Sequence, residues 1–201
     1  MSHDVNVPRL IAPAMAAGWF AGSGQPEIVV RPAVVLRPWR LGDAAAVLAA
    51  FTDPDIQRWH VRRADSLEEA VEWITDRQRG WAAESELNWA VAERQSDAVL
   101  GRMSLNSVDL HDGSAGLAYW MVPAARGRGI CTQAARALCR WAFEEAGFHR
   151  IWLDHSTANH ASCRVAVKAG FIAEGVARSS ALHADGWHDM HVHARLATDV
   201  S

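Results

Sequence analysis

The sequence predicts an α+β domain with a mixed, mostly antiparallel central sheet flanked by about four helices. Two observations lead to this prediction. Strand-like apolar runs and helical patterns follow each other in the order β-α-α-β-β-β-α-β-α-β-β, and short polar turns join neighbouring strands in the middle and at the end. A chain of 201 residues, half of them hydrophobic, is long enough for one such domain.

The N-terminal part divides into an arm and the beginning of the domain. Residues 1–30 are rich in Pro, Gly and Ala and predict a loosely structured arm, with a short helix near Ile11–Ala17. Residues 31–201 are predicted to form a single domain. Its first elements are a strand at Ala33–Trp39, a helix at Gly42–Phe51 with Asp43 as its cap, and a short helical piece at 53–60.

The next helix carries a capping signal, since Ser66 is followed three residues later by Glu69. The remaining elements follow from apolar patterns bounded by polar or glycine residues. They are strands at 88–93, 99–110, 116–122 and 150–155, helices at about 131–146 and 159–168, and a final hairpin that turns at Asp185–Gly186.

Composition excludes several classes of protein. A formal net charge of -3 and no basic stripe argue against a nucleic-acid partner. No apolar run approaches the length of a spanning helix and no secretion signal opens the chain, so we expect no membrane partner. Three cysteines without paired spacing predict a reducing, cytoplasmic location.

The stretch "ARGRGICTQ" has the chemistry of an anion site. Glycines let the backbone approach a ligand closely, and the first amides of a helix lack intrahelical partners. The amides of 129–132 and the side chains of Arg126 and Arg128 would therefore surround an anion at the positive end of the helix dipole. A Walker loop is excluded because no Gly-Lys-Ser/Thr end occurs, and a dinucleotide fold because a third glycine and a parallel βαβ unit are missing. An ordinary polar turn before a solvated helix is the alternative.

This segment resembles the Q/R-x-x-G-x-G/A signature of the GCN5-related N-acetyltransferase (GNAT) superfamily. The surrounding residues 118–171 are similar to its RimJ/RimL-like, ribosomal-protein-acetylase type, with Asn159-His160-Ala161-Ser162 as the N-x-x-S motif and Gly170-Phe171 as the terminal GF. The likeness spans about residues 33 to 196. It implies a GNAT fold, acetyl-CoA as cosubstrate and transfer to an amine.

The resemblance also assigns roles to residues. Met121 and Val122 would lie on the splayed strand that pairs with the pantetheine arm and polarises the thioester carbonyl. Asn159 would contact the pantetheine region, and Ser162 would protonate the leaving thiolate, although helix capping also explains both residues. The pyrophosphate would be held by Arg126, Gly127, Arg128, Gly129, Ile130, Cys131 and Thr132. Cys131 stands where the pattern has a small residue.

The general base is the point at which this sequence departs from the family. Gly116 and Ala181 occupy the positions where relatives carry a carboxylate. Three explanations remain open: His155 substitutes as the base, an α-amine acceptor needs no strong base because its reference pKa is about 7.7–8.0, or catalysis has been lost. We favour the first two together.

The acceptor side is expected from the first two helices and the last hairpin. Trp59, His60 and Trp187 are candidate groove walls, with core packing as the alternative for Trp59. Asp189 matches an acidic position of relatives near the acceptor, and Asp53 and Asp55 are further candidates for attracting an amine. The histidines of "HVH" share a strand face with Asp189, yet we expect no metal because no further ligand is fixed nearby in the sequence.

The sequence therefore predicts an acyl-CoA-dependent N-acyltransferase, most simply an acetyltransferase acting directly on a primary amine. Acceptors of three kinds fit, namely a protein N-terminus, an amino sugar or a small amine. A catalytically silent acyl-CoA-binding sensor is the alternative, because an intact pyrophosphate loop without the family's Glu is what such a protein would also show. The resemblance makes a homodimer possible.

Overall fold

The computed structural model describes residues 10–60 and 63–199. Its centre is a mixed sheet, as the sequence predicts, with eight strands where seven were expected. The strands are β1 (Ile28–Arg31), β2 (Val34–Pro38), β3 (Leu87–Glu93), β4 (Val99–Asp109), β5 (Ser114–Met121), β6 (Arg150–Ser156), β7 (Ile172–His183) and β8 (Gly186–Leu196). The helices are α1 (Ala44–Phe51), α2 (Pro54–Trp59), α3 (Leu67–Ala82), α4 (Ile130–Trp141) and α5 (His160–Ala169).

The strand order is β1-β2-β3-β4-β5-β6-β8-β7. Every neighbouring pair is antiparallel except β5 and β6, which run parallel. The chain crosses between these two strands through α4 and the π-helical turn Ala142–Ala146, which ends at Gly147 with a left-handed φ of 86°. Such a crossover is needed because two parallel strands cannot be joined by a tight hairpin. The parallel pair lies inside the sheet, with β4 on one side and β8 on the other.

The sheet separates two cores because alternate side chains of each strand point to opposite faces. One face packs against α4 and α5 and includes Leu117 and Met121 of β5 and Leu153 of β6. The other packs against α1, α2 and α3 and includes Trp120 of β5. We call these the α4/α5 face and the α1–α3 face.

Two of the three predicted helix caps are confirmed. The side chain of Ser66 accepts a hydrogen bond from the Glu69 amide at 3.1 Å, and that of Asn159 accepts one from the Ser162 amide at 3.0 Å. The predicted cap Asp43 is wrong, because its carboxylate instead pairs with the buried guanidinium of Arg37 at 2.8 Å.

The N-terminal segment is more ordered than the sequence predicts. The expected helix near Ile11–Ala17 is wrong, since residues 10–17 form bends and turns. Met15 and Phe20 are 5% and 0% exposed and belong to the core of the α4/α5 face, and Ile28–Arg31 adds an edge strand. Residues 1–9 lie outside the described part of the chain. The division into an arm and a domain at residue 31 stays a prediction.

Candidate active site

A gap opens between the two parallel strands. Their register contains three pairs, Ser114 with Arg150, Ala115 with Ile151 and Gly116 with Trp152. Beyond this point β5 continues to Met121 and β6 to Ser156 without further pairing between them. The adjoining backbone edges of the two strands are therefore available to an extended ligand.

The register of β5 with β4 determines which backbone groups face this gap. Met121 lies opposite Gly101, and the Val122 amide donates to the Leu100 carbonyl at 3.0 Å. This is the pattern of a non-hydrogen-bonded antiparallel pair, in which the N–H and C=O of Met121 point away from β4. Tyr119 has the same orientation two residues earlier. Met121 and Tyr119 therefore face the gap, whereas the amide of Val122, which the sequence interpretation placed there, is already used.

The loop before α4 has the conformation expected of an anion site. Gly127 and Gly129 have φ values of 73° and 71°, a left-handed conformation that favours glycine. The first helical bond is donated by Gln133 to the Gly129 carbonyl at 3.1 Å. The amides of Ile130, Cys131 and Thr132 therefore precede the intrahelical ladder. Ile130 is 1% exposed and anchors the loop to the core.

The Cys131 side chain does not behave as a nucleophile in this loop. Burial raises the pKa of its thiol to about 12, so that the thiol stays protonated at neutral pH. This agrees with the interpretation of Cys131 as a small residue that fills space.

The two arginines of the loop differ in their surroundings. Arg126 donates from Nε to the Met121 carbonyl at 3.0 Å and from its two terminal nitrogens to Asp53 at 2.6 Å and Asp55 at 2.8 Å. It therefore ties the loop to the start of α2. Arg128 is exposed and pairs with no carboxylate among the described residues. Of the two, Arg128 is the guanidinium that is free to meet an anion.

The carboxylates of Asp53 and Asp55 are therefore paired with Arg126 and are not free to bind an acceptor amine. The carboxylate of Asp53 also caps α2 by accepting from the Ile56 amide at 3.0 Å. Although desolvation opposes it, the hydrogen bond from Arg126 holds the pKa of Asp53 below its ordinary value. The two carboxylates position Arg126.

Ser162 lies in the first turn of α5, on the α4/α5 face of the gap. Its Oγ is 2.8 Å from the hydroxyl oxygen of Tyr119, whose ring projects from β5. Tyr119 is the single tyrosine of the chain. Burial raises the pKa of its phenol, which therefore remains a proton donor at neutral pH. Sequence reasoning missed this residue, because its link to Ser162 spans 43 positions.

His155, the expected base, is 4% exposed and points to the α4/α5 face. Its Nδ1 lies 2.9 Å from the Ser156 carbonyl, which can only accept, so Nδ1 carries the proton. Its Nε2 lies 3.2 Å from Nε2 of His193. Burial lowers the pKa of both histidines. Both ring nitrogens of His155 are thus engaged, and neither is presented to an amine on the other face. The geometry does not support His155 as the base.

At position 116, where relatives carry a Glu, neighbouring side chains occupy the space that a side chain would need. A Cβ on Gly116 would lie 2.4 Å from Oδ1 of Asn106 and 2.8 Å from Cζ2 of Trp152. The indole of Trp152 therefore occupies the space that a side chain at 116 would need. Asp154, two residues further along β6, lies on the same α1–α3 face; it is exposed, and the partial desolvation of its carboxyl raises its pKa.

A cleft of about 530 Å³ opens on the α1–α3 face. Its walls are Trp59, His60, Trp73, Arg77, Ser85, Glu86, Arg102, Asn106, Ser107 and Ala118. Two of the four predicted acceptor residues, Trp59 and His60, line it. Ala118 reaches it from the stretch of β5 that borders the gap, so the cleft and the gap adjoin the same strand.

The charge inside the cleft is largely compensated. Glu86 forms ion pairs with Arg77 and with Arg102, the latter at 2.6 Å. Although desolvation opposes it, the charges of Arg102 and Arg77 hold the pKa of Glu86 below its ordinary value. The two ion pairs therefore hold Glu86 in the cleft wall.

The other two predicted acceptor residues lie elsewhere. Trp187 is 65% exposed at the tip of the β7–β8 hairpin. Asp189 accepts from the Ser179 amide at 2.8 Å, where β7 bulges and Ser179 has a φ of 45°. In their place, His183 and His188 of this hairpin contact the ring of Trp59, with centroids 5.9 and 6.2 Å apart. The hairpin does meet α2, as predicted, through different side chains.

This fold and site define an acyl-CoA-dependent transferase. The model of the acetyltransferase (GNAT) domain family matches residues 33–172. The chain belongs to this family, and it is an N-acetyltransferase; nothing in the comparisons favours a silent sensor.

Known proteins resemble the chain in sequence and in structure. "Probable N-acetyltransferase YjcK" of Bacillus subtilis is 29% identical over 172 residues, which cover 83% of this chain and 95% of that protein. The ribosomal-protein-serine acetyltransferase of Escherichia coli is 28% identical over 51% of this chain and 57% of that protein. The structure of the ribosomal-protein acetyltransferase RimL in complex with coenzyme A has a TM-score of 0.80 at 19% identity, covering 85% of this chain and 98% of RimL.

Proposed function

We propose that the protein transfers the acetyl group of acetyl-CoA directly to a primary amine, most favourably the α-amine of a protein N-terminus. The observation that carries this proposal is the arrangement around β5. The gap between β5 and β6, which leads to the amides at the N-terminus of α4, lies beside the second half of β5. Ala118, in the same half of β5, forms part of the wall of the cleft on the α1–α3 face. An acyl donor and an acceptor can therefore meet at the strand from two sides.

The donor side is supported by the backbone. The amides of 130–132 and the free side chain of Arg128 suit the pyrophosphate, with Gly127 and Gly129 allowing close approach. Met121 and Tyr119 present backbone groups to the pantetheine arm and thioester, and Asn159 holds the first turn of α5 beside it. Arg126 contributes by positioning the loop against α2.

The chemistry needs one proton removed from the amine and one delivered to the thiolate. Ser162 is the donor to the thiolate, and the Tyr119 hydroxyl supports it at 2.8 Å. No general base of the family's type is required for an α-amine, which is partly neutral at pH 7 because its reference pKa is about 7.7–8.0. A lysine amine, at about 10.4, would depend on a base.

The N-terminal acceptor rests on chemistry and on the relatives. The E. coli relative is named a ribosomal-protein-serine acetyltransferase. A cleft of about 530 Å³ has room for an extended N-terminal segment, and its aromatic wall of Trp59 and Trp73 suits the apolar parts of a peptide.

Assembly and location remain part of this proposal. No helix among the described residues is long and apolar enough to cross a membrane. The free cysteines Cys131, Cys139 and Cys163 agree with a location in the reducing cytoplasm.

A homodimer would bury the exposed apolar side chains of the β7–β8 hairpin, which are Ile172, Val176, Leu182 and Trp187. Light scattering of the purified chain, with Trp187→Ser as the matched variant, tests this.

The direct test is release of coenzyme A from acetyl-CoA, followed with a disulfide reagent. The acceptors are peptides with a free N-terminus, the same peptides blocked at the α-amine but carrying a lysine, an aminoglycoside and a polyamine. A reaction without acceptor corrects for the protein's own thiols. Acceptor-dependent release with free N-termini and little with blocked ones supports the proposal. Turnover of the amino sugar alone would overturn the N-terminal assignment.

A further inference from the structure

Four potential metal ligands meet beneath α5. The donor atoms of His155, Cys163, His191 and His193 all lie within 4.8 Å of one another. His155 and His193 are 4% and 2% exposed, and Cys163 and His191 are half-buried. No carboxylate belongs to this group. The set consists of three imidazoles and one thiol, and we call it the Cys-His3 cluster.

The fold assembles this cluster from three elements. His155 of β6 lies opposite His191 in the antiparallel register with β8, so both side chains leave the same face of the sheet. His193 lies two residues after His191 in β8 and is on the same face. Cys163 lies in the first turn of α5, which packs on that face. The sequence shows only the pair at 191 and 193, because Cys163 and His155 lie 28 and 36 residues before His191.

Two ring nitrogens of the cluster face each other at a distance that suits a shared ion. His155 donates from Nδ1 to the Ser156 carbonyl, which leaves the lone pair of Nε2 pointing inward. That atom is 3.2 Å from Nε2 of His193. Two imidazole nitrogens bound to one tetrahedral Zn²⁺ at about 2.0–2.1 Å are separated by about 3.3 Å. The observed distance is therefore close to that of a shared ion.

One buried ring nitrogen of the cluster, Nδ1 of His191, is inaccessible and makes no hydrogen bond within the described part of the chain. Nδ1 of His193 also has no partner there, and an ion held by Nε2 of that ring would not change this. Leaving such atoms unpaired is costly in a protein interior. A hydrogen bond between the rings of His155 and His193 would satisfy one nitrogen of each and would leave His191 and the thiol unexplained.

We propose that the Cys-His3 cluster binds one Zn²⁺ ion. Four protein ligands close a tetrahedral shell, which is typical of a structural site rather than a hydrolytic one. Binding converts the Cys163 thiol to a zinc-bound thiolate and releases one proton to solvent, so charge and atoms balance. The ion would join α5 to β6 and β8 directly beside Ser162, and would thereby fix the turn that carries this hydroxyl. The site does not depend on the identity of the acceptor.

The first experiment uses tag-free, full-length protein freed of metal with a chelator and titrated with Co²⁺. We expect one equivalent to bind, with a thiolate-to-cobalt charge-transfer band and the intense visible bands of tetrahedral cobalt, both abolished by one equivalent of Zn²⁺. A weak spectrum of octahedral cobalt without a thiolate band would overturn the proposal, and a ring-to-ring hydrogen bond would then explain the contact between His155 and His193.

Matched variants identify the ligands. Cys163→Ser should abolish the charge-transfer band, whereas Cys131→Ser should retain it. His193→Asn should weaken Zn²⁺ binding by at least about 100-fold, the upper end of what even indirect disturbance of a metal site costs. His183→Asn, on the same hairpin but outside the cluster, should leave the affinity unchanged. Equal affinity in His193→Asn and His183→Asn would contradict the assignment.

A measurement on the wild-type chain covers the case in which a variant fails to fold. Alkylation of each cysteine is followed by peptide mass spectrometry with and without one equivalent of Zn²⁺. Cys163 should become at least about tenfold slower, because a metal-bound thiolate is a poor nucleophile for the reagent, while an added peptide with a single cysteine serves as the reference. An unchanged rate at Cys163 would refute the site.

Discussion

The hydroxyl oxygens of Tyr119 and Ser162 lie 2.8 Å apart across the gap between β5 and β6. Tyr119 projects from β5 and Ser162 from the first turn of α5, whose cap Asn159 holds the Ser162 amide. The contact joins the strand that we propose faces acetyl-CoA with the helix that carries the proposed proton donor, Ser162. Because Tyr119 cannot readily ionise in its buried position, it can orient the Ser162 hydroxyl without competing for its proton.

Replacing Tyr119 by Phe removes this hydrogen bond and keeps the ring. We expect kcat to fall about 2- to 10-fold, which corresponds to a net hydrogen bond of about 0.5–1.5 kcal/mol, with little change in the KM for acetyl-CoA. Ser162→Ala should lower kcat more, by about 10²-fold, as expected when a general acid is lost. The double variant should be no slower than Ser162→Ala alone, and full additivity would show that the two residues act independently.

The two arginines of the α4 loop should give different phenotypes. Arg128→Ala should weaken binding of coenzyme A about 10- to 100-fold, the range for loss of a hydrogen bond to a charged group, and leave Tm unchanged. Arg126→Ala should weaken binding less and lower Tm by about 2–4 °C, because its pairs with Asp53 and Asp55 are worth about 1 kcal/mol. Calorimetry measures both quantities. Arg140→Ala, at the far end of the same helix, controls for net charge.

Identical losses of affinity and of Tm in Arg126→Ala and Arg128→Ala would contradict this division. They would show that both guanidinium groups meet the ligand and that the pairing with α2 is broken when coenzyme A binds.

Local patterns in the sequence were sufficient to predict the parts of the site that are contiguous in the chain. Glycines at 127 and 129, the cap Asn159 and the strand before the loop all stand where they were predicted. The GNAT fold and the transferase class are confirmed by the family match.

Contacts that depend on register or on distant segments could not be predicted in the same way. Arg126 meets Asp53 across 73 positions, and His155 meets His193 only because β6 and β8 pair in one register. The burial of Phe20 depends on a face formed by α4, which a weakly periodic segment does not reveal. The pattern of the last hairpin was sufficient to predict the position of its turn. It did not show that the face carrying His183 and His188 would contact Trp59 of α2.

A carboxylate cannot be restored at position 116 by a single substitution. Gly116→Ala should destabilise the protein by about 1–3 kcal/mol, because the new Cβ would overlap Asn106 and Trp152. Gly116→Glu should be less stable still and should not raise kcat, whereas combining it with Trp152→Ala should recover part of the stability. Thermal unfolding measures this, with Gly42→Ala as a control whose Cβ meets open space. A Gly116→Glu variant that is stable and faster would contradict this explanation.

The dependence of the rate on pH should follow the acceptor and not the enzyme. With a peptide α-amine, kcat/KM should rise with pH and level off near about 7.7–8.0, where the amine becomes neutral without help. With a lysine acceptor the rise should continue past pH 9, because the reference pKa of that amine is about 10.4. Initial rates for the two peptides from about pH 6 to about pH 10 make the comparison, with enzyme stability checked at each pH. A break near 6.5 that is shared by both acceptors and removed in His155→Ala would instead identify a histidine base, and the buried position of His155 would then have to open during turnover.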